Sequence, residues 1–373
     1  MGCTTSSHEV NDGVEKAPKG GDMQSLPKSD SPPTNVPPTE NKDNSGPKHV
    51  ETRSAESKYT LKEVLGKGRY GIVKVCIDNE TGIHYACKLI DGKAMKSASI
   101  IDDEVAKLQE VREHPNVIQF YDFFKDNHGM FYIVMELCKG GDLFSRIVED
   151  GSYNETSAAE LLKQLASALK YIHSLGITHR DLKPENILLS DKGKNAQVKI
   201  VDFGLSKMVQ DSTLMMTTVI GTWAYCAPEV FSNQPYDNTV DNWALGILMF
   251  IMLSGYHPFD PYGELADGEL ISRISNDDFD FDEPEWEGIS DDAKFIIRRL
   301  LQKNPKKRMT LEAFLNTSWV LGDTSNTVDL TSSVKRMASF SARYRPIPGK
   351  VGDEAAKKPT LDTIVSERRI SAD

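Results

Sequence analysis

The sequence predicts an α+β architecture: a small sheet with one helix, followed by a larger and mainly helical part, with polar tails at both ends. Three observations carry this. From Tyr59 onward the apolar residues fall into short β-like runs, YTLKEVL, GIVKVCI, HYACKLI and FYIVMEL, broken by one stretch of helical period, SIIDDEVAKLQEV. After Cys138 the period becomes helical, in LFSRIVED, ETSAAELLKQLASALKYIHSLG, WALGILMFIML, DDAKFIIRRLLQ and TLEAFLNTSWV. Residues 1–57 are rich in Pro, Ser, Asn, Lys and Glu, with PPTNVPPTE at 32–40, a composition that cannot bury enough apolar surface to fold. The expected parts are therefore a disordered tail over 1–57, the sheet part over 58–138, the helical part over 139–321 and a regulatory or disordered tail over 322–373.

Composition narrows the function. At 373 residues and 39 % apolar content the chain can build a substantial core. A net charge of −11 argues against a nucleic-acid partner, which selects a basic face. The five cysteines form no CxxC pair and leave one over, so neither a disulfide framework nor a zinc site is indicated and a reducing cytosol fits. The longest apolar run, 243–253, is too short to span a bilayer and has the length of a buried helix, and the N-terminus lacks the apolar core of a secretory signal.

The densest puzzle is HRDLKPEN, 179–186, which sets six costly polar residues between the apolar runs YIHSLGI and ILL. Such groups need partners when buried, and a ligand can complete the set. GKGRYGIVKV, 66–75, places Gly66, Gly68 and Gly71 ahead of Val73, with Lys67 between the first two. Glycine lets backbone approach a phosphate closely. Because IVKVCI reads as a strand and not a helix, the glycines cap a hairpin, and a dinucleotide-binding oxidoreductase is excluded. Lys88 stands alone in HYACKLI, where an inward lysine needs an anion, and Glu104 on the apolar stripe of the following helix can supply it.

His179, Arg180, Asp181 and Asn186 match HRDxxxxN; DFG follows at Asp202, Phe203 and Gly204, then APE at Ala227, Pro228 and Glu229. In this order, after a glycine loop and a strand lysine, they resemble the protein kinase family over 59–321. The resemblance implies the two-lobed protein kinase fold with ATP and Mg²⁺ between the lobes. It implies that Asp181 is the catalytic base, that Lys183 steadies the transferred phosphate, that Asn186 and Asp202 hold Mg²⁺, and that Lys88, held by Glu104, grips the α and β phosphates. It also makes Met135 the gatekeeper, gives adenine to the backbone of Glu136 and Cys138, and pairs Arg308 with Glu229. The familiar VAIK reads YACK here, with Ala86 and Lys88 intact. A pseudokinase that binds partners without catalysis is the alternative, although such chains lose one of the residues kept here.

HRDLKPEN favours Ser/Thr over Tyr substrates, and GGDLFSRI with DEPEWEGISDDAKFIIRRLLQKNPKKRMTLEAFLNTSWV resembles the calcium/calmodulin-dependent protein kinase group. That resemblance points Asp142 and Glu185 at an arginine three residues before the phosphoacceptor, and makes Thr218 the activation-loop site of an upstream kinase. Arg336-Met-Ala-Ser339 and Arg368-Arg-Ile-Ser371 fit the same preference and are candidate autophosphorylation sites. At 330–345, Leu330, Val334, Met337, Phe340 and Tyr344 form a helical stripe among Lys335, Arg336, Arg343 and Arg345, the pattern of calmodulin- or membrane-binding helices. No EF-hand loop accompanies it. MGCTTS at the start fits N-myristoylation at Gly2. Six basic against nine acidic residues in 1–57 exclude charge as the second membrane signal, so palmitoylation of Cys3 is expected, giving a kinase on a cytoplasmic membrane face.

Overall fold

The computed structural model describes residues 58–68, 71–92, 99–151, 153–202, 222–232, 235–322 and 328–344. Five antiparallel strands form one sheet in the order β1-β2-β3-β5-β4. They are β1 (Tyr59–Gly68), β2 (Gly71–Asp78), β3 (His84–Asp91), β4 (Phe120–Lys125) and β5 (Met130–Met135). Helix α1 (Ser99–Val111) crosses between β3 and β4 and coincides with the helical stretch read from the sequence. Strand β4, FYDFFK, is additional to the runs identified above. Its side chains are mostly half-buried and do not alternate cleanly, so periodicity gives it little signal.

Strand register divides the sheet into two faces. Val73 lies opposite Lys88 and Lys88 opposite Ile133, while Ala86 lies opposite both Val75 and Met135. Side chains of a strand alternate between faces, so Val73, Ala86, Lys88 and Met135 share one. The other face is lined by Tyr59, Cys76, Cys87, Phe124, Tyr132 and Val134, a small core of its own.

The helical part begins at α2 (Leu143–Asp150), whose N-cap Asp142 accepts from Ser145 N at 3.0 Å and whose end turns through Gly151 at φ 66°. Helix α3 (Glu155–Ser174) is capped by Asn154, and a short pair, β6 (Ile187–Leu189) and β7 (Val198–Ile200), follows. Helix α4 (Thr239–Ser254) has nearly every residue buried, which explains its apolar run, and starts four residues before that run. Helices α5 (Asp267–Asn276), α6 (Asp291–Leu300), α7 (Leu311–Leu315) and α8 (Ser318–Leu321) complete this part; TLEAFLNTSWV is two short helices and not one. The break falls at Thr317, which caps α8 by accepting from Val320 N.

Part of the C-terminal tail is ordered as a helix. Helix α9 (Thr331–Tyr344) packs on α2 and α4. Leu330, Val334, Met337 and Phe340 are buried there, each side chain contributing about 1.5–3 kcal/mol in transfer from water. The stripe read as a ligand for calmodulin is thus turned onto the protein. Gly255 permits this contact: a Cβ there would meet the Ser333 carbonyl oxygen at 2.1 Å. Among the described residues no helix is long and apolar enough to cross a membrane.

Candidate active site

HRDLKPEN forms a loop between α3 and β6 whose backbone is held from below. Asp241, in the first turn of α4 and 1 % exposed, accepts from His179 N on Oδ2 and Arg180 N on Oδ1, both at 2.8 Å, and bonds His173 Nε2 at 2.7 Å. Burial opposes its ionisation, but the His173 hydrogen bond and nearby positive charge hold its pKa below the ordinary carboxylate range. His179 is fully buried. Its Nδ1 accepts from Asp181 N at 3.3 Å, so the ring proton sits on Nε2, which donates to the Val201 carbonyl at 2.9 Å. The loop is thereby tied to the residue before Asp202. Arg180 and Asp202 are the non-glycine residues with positive φ among those described, at 67° and 61°. Such conformations persist where the surroundings impose them, and they cluster at functional sites.

Above this frame the charged side chains converge. Lys88 Nζ lies 2.9 Å from Glu104 Oε1 and 2.7 Å from Asp202 Oδ1. Burial would lower its pKa; the carboxylates of Asp202 and Glu104 overcome that and keep the ammonium above the usual lysine range. Asp202 is held low by Lys88 in return, against the opposing effect of burial. Lys183 Nζ contacts both carboxylate oxygens of Asp181, at 3.0 and 2.9 Å. Asn186 Nδ2 donates to the Asp181 carbonyl at 2.6 Å and to its Oδ2 at 3.0 Å, leaving Oδ1 as its remaining acceptor.

The nucleotide side of the cleft follows from the strand register. Val73, Ala86 and Met135 lie on the face that carries Lys88, and Glu136 and Cys138 continue from the end of β5. Gly66, Lys67 and Gly68 pair with Val73, Ile72 and Gly71 at the hairpin tip. The glycines are not equivalent. A Cβ on Gly66 would meet nothing within 4 Å, whereas one on Gly71 would lie 1.8 Å from the Leu89 carbonyl oxygen. Gly71 is therefore required by the contact with β3, and Gly66 offers open backbone.

This donor set fits a magnesium-bound nucleoside triphosphate. Among the described residues no group of three or more His, Cys, Asp or Glu is arranged to hold a metal alone. Asn186 and Asp202 would hold Mg²⁺ jointly with phosphate oxygens and water, the usual mode for this ion. Among the described residues the buried Glu104 Oε2 has no hydrogen-bond partner.

Other expectations divide. Arg308 pairs bidentately with Glu229 at 2.5 and 2.9 Å, as the sequence implied. Glu185 is exposed, while Asp142 caps α2 as well as accepting from Ser145 Oγ at 2.6 Å. Ser339 is exposed, but its upstream Arg336 is held 2.7 Å from Glu285 and 4.0 Å over the Tyr256 ring. Gly2, Cys3, Arg69, Phe203, Gly204, Thr218, Arg345 and Ser371 lie outside the described residues. Sequence reasoning missed Asp241, although one carboxylate at the edge of an apolar helix is itself a signal. It also missed Lys199, masked by its place in the ordinary-looking VKI.

The profile of the protein kinase domain matches residues 59–320. The chain belongs to the protein kinase family. The kinase is 40 % identical over 283 residues to calcium/calmodulin-dependent protein kinase type 1 of Macrobrachium nipponense, covering 75 % of this chain and 80 % of that one. It is 40 % identical over 288 residues to the human type 1B enzyme, covering 77 % and 81 %, and 38 % identical over 301 residues to the type 1 enzyme of Caenorhabditis elegans, covering 80 % and 84 %. It is a serine/threonine kinase of the calcium/calmodulin-dependent group, a family that uses ATP and Mg²⁺ to phosphorylate proteins in signalling.

Proposed function

We propose that Asp181 accepts the hydroxyl proton of a substrate Ser or Thr as the γ-phosphoryl group is transferred, and that the preferred hydroxyl lies three residues after an arginine. The observation that carries the catalytic part is two contact groups, Lys88 with Asp202 at 2.7 Å and Asp181 with Lys183 and Asn186 at 2.6–3.0 Å, close enough that the Asp202 charge acts on Lys183. Phosphoryl transfer needs placement and charge neutralisation more than covalent chemistry. Mg²⁺ supplies part of that neutralisation when bound. Lys88 binds the α and β phosphates, Lys183 orients Asp181 and meets the transferred group, and the backbone of Glu136 and Cys138 takes adenine. With Lys88, Asp181 and Asp202 all retained, and Lys88 paired with Asp202, the pseudokinase reading has no residue in its favour.

The substrate preference rests on Glu185. Enclosure of its carboxyl group raises its pKa, and the like charges of Asp181 and Asp142 add to this, although the residue as a whole is exposed. A cationic substrate side chain relieves that repulsion. Asp142, already the cap of α2, adds charge more than a free hydrogen-bonding group. An oriented peptide library is expected to select Arg at −3, and Glu185→Ala to weaken that selection; an acidic or proline-directed preference contradicts the reading.

Regulation follows from the group and the tail. Calmodulin takes 330–345 only after α9 leaves its seat, and Ser339 becomes a substrate only once Arg336 is released. An upstream kinase phosphorylates Thr218, whose phosphate pairs with Arg180. Acylation at Gly2 and Cys3 holds the kinase on a cytoplasmic membrane face. Ser371 is a second autophosphorylation site.

A further inference from the structure

An ion pair between a buried lysine and a half-buried glutamate closes a ring around the nucleotide end of the cleft. Lys199, in the middle of β7, is 6 % exposed, and its Nζ lies 2.8 Å from Glu136 Oε2. Glu136 donates its backbone N–H to the Gln119 carbonyl at 2.9 Å, and Gln119 N approaches Glu136 Oε2 at 3.4 Å. Ile118 N donates to the Ile200 carbonyl at 3.0 Å, and Ile200 N to the Asn116 carbonyl at 2.9 Å. Three segments distant in sequence, 116–119, 136 and 198–200, are thus joined, and the Lys199 side chain completes the circuit. Its charge is felt by its neighbours. It lowers the pKa of His114 after burial has done so, and it opposes the burial and Glu136 charge that push the Cys138 thiol up to about 12.

Burying a lysine charge is costly even when it is paired, and packed apolar residues of like volume are often as stable. A pair kept at this place has a positional reading. The register sets Leu188 beside Lys199 on the β6–β7 pair, and Asp202 follows three residues after Lys199. Lys199 therefore links the strand that delivers Asp202 to the segment that presents backbone to adenine.

We propose that Lys199 is a positioning residue for nucleotide: by holding the Glu136 side chain it fixes the backbone of 136–138, and so sets affinity for, and choice between, purine bases. This rests on the reading of 136–138 as the adenine edge. It leaves the transfer step to Asp181 and its neighbours.

The test uses the full chain, with ATP and GTP competing against a fluorescent ATP analogue, alongside steady-state kinetics. Lys199→Met is expected to weaken ATP binding and raise its KM about tenfold, an effect of one ordinary charged contact. The ATP-over-GTP ratio narrows, kcat stays within about twofold, and Lys199→Arg recovers most of the loss. Wild-type affinity and base choice in a folded Lys199→Met, or a lost kcat with unchanged KM for ATP, overturns the proposal. If Lys199→Met does not fold, Glu136→Gln carries the same expectation, and wild-type affinity and base choice in that variant overturn it equally. Lys88→Met separates the two failures. If Lys88→Met binds ATP as the wild type does, the cleft reading fails; if it loses binding while Lys199→Met keeps it, only the role of Lys199 fails.

Discussion

Two buried histidines of this kinase are wired alike and serve different ends. His179 accepts on Nδ1 from Asp181 N at 3.3 Å and donates from Nε2 to the Val201 carbonyl at 2.9 Å. His257, just beyond α4, accepts on Nδ1 from Phe259 N at 3.2 Å and donates from Nε2 to the Ala224 carbonyl at 2.8 Å. Each pins a tight local turn to a remote strand or loop. At His179 the residue two positions on is the carboxylate proposed as base; at His257 it is a core phenylalanine, and the ring of Phe340 from α9 stacks on the histidine at 6.4 Å. One device thus builds a reactive corner and a packing corner. The difference lies in the neighbours, because charged groups gather around the first and aromatic rings around the second.

Acid should strain the packing corner most. Burial lowers the pKa of His257 to about 4, outweighing the Ala224 hydrogen bond and the charge of Asp260. The unfolded chain protonates near pH 6.5. Since the folded value is depressed, the stabilising contribution is complete above about pH 6.5 and is lost as pH falls towards 4, by up to about 3 kcal/mol. Chemical denaturation across this range should show the decline, and His257→Gln should flatten it. An unchanged profile in that variant would remove His257 from the account. Asp260, Phe259, Phe340 and the Ala224 carbonyl face this ring.

At the reactive corner, Asp241→Asn keeps the shape but loses the charge that receives two backbone N–H groups. A loss of roughly 1.5–3 kcal/mol in stability is expected, accompanied by a fall in kcat as Arg180 leaves its left-handed conformation. The depressed pKa of Asp241 makes the wild-type contribution fully present above about pH 4 and lost below it, so the variant and the wild type should converge in strong acid. The smallest effect belongs to the tail. Arg336→Ala removes a half-buried ion pair with Glu285 and a cation–π contact with Tyr256, together about 1 kcal/mol. It should raise hydrogen exchange in α9 and leave exchange in α4 as it was; equal protection of α9 would show that the apolar stripe alone holds it.

The sequence made one corner legible and hid the other. HRDLKPEN, Lys88 and DFG stand out because charge inside apolar runs is chemically anomalous, and the pairing of Lys88 with Glu104 could be read from the helix stripe. His257 in YHPF carries no such contrast, since a lone histidine among aromatics reads as ordinary core. Asp241 was visible as a residue but its partners are backbone groups 61 and 62 positions away, which no local pattern encodes. Helix α9 was legible as amphipathic, but amphipathicity does not say which surface its apolar side meets. Gly255 and the α2–α4 groove settle that only in three dimensions.

The central claim is that Asp181, framed by Lys183 and Asn186, is the group on which transfer depends. The most direct measurement follows labelled γ-phosphate from ATP to an Arg-x-x-Ser peptide, using the full chain and Asp181→Asn at matched thermal stability. The account expects transfer by the wild type and a rate lower by about 10²- to 10⁴-fold in the variant. Equal rates for the two proteins, or no transfer by the wild type with Thr218 phosphorylated, would contradict it.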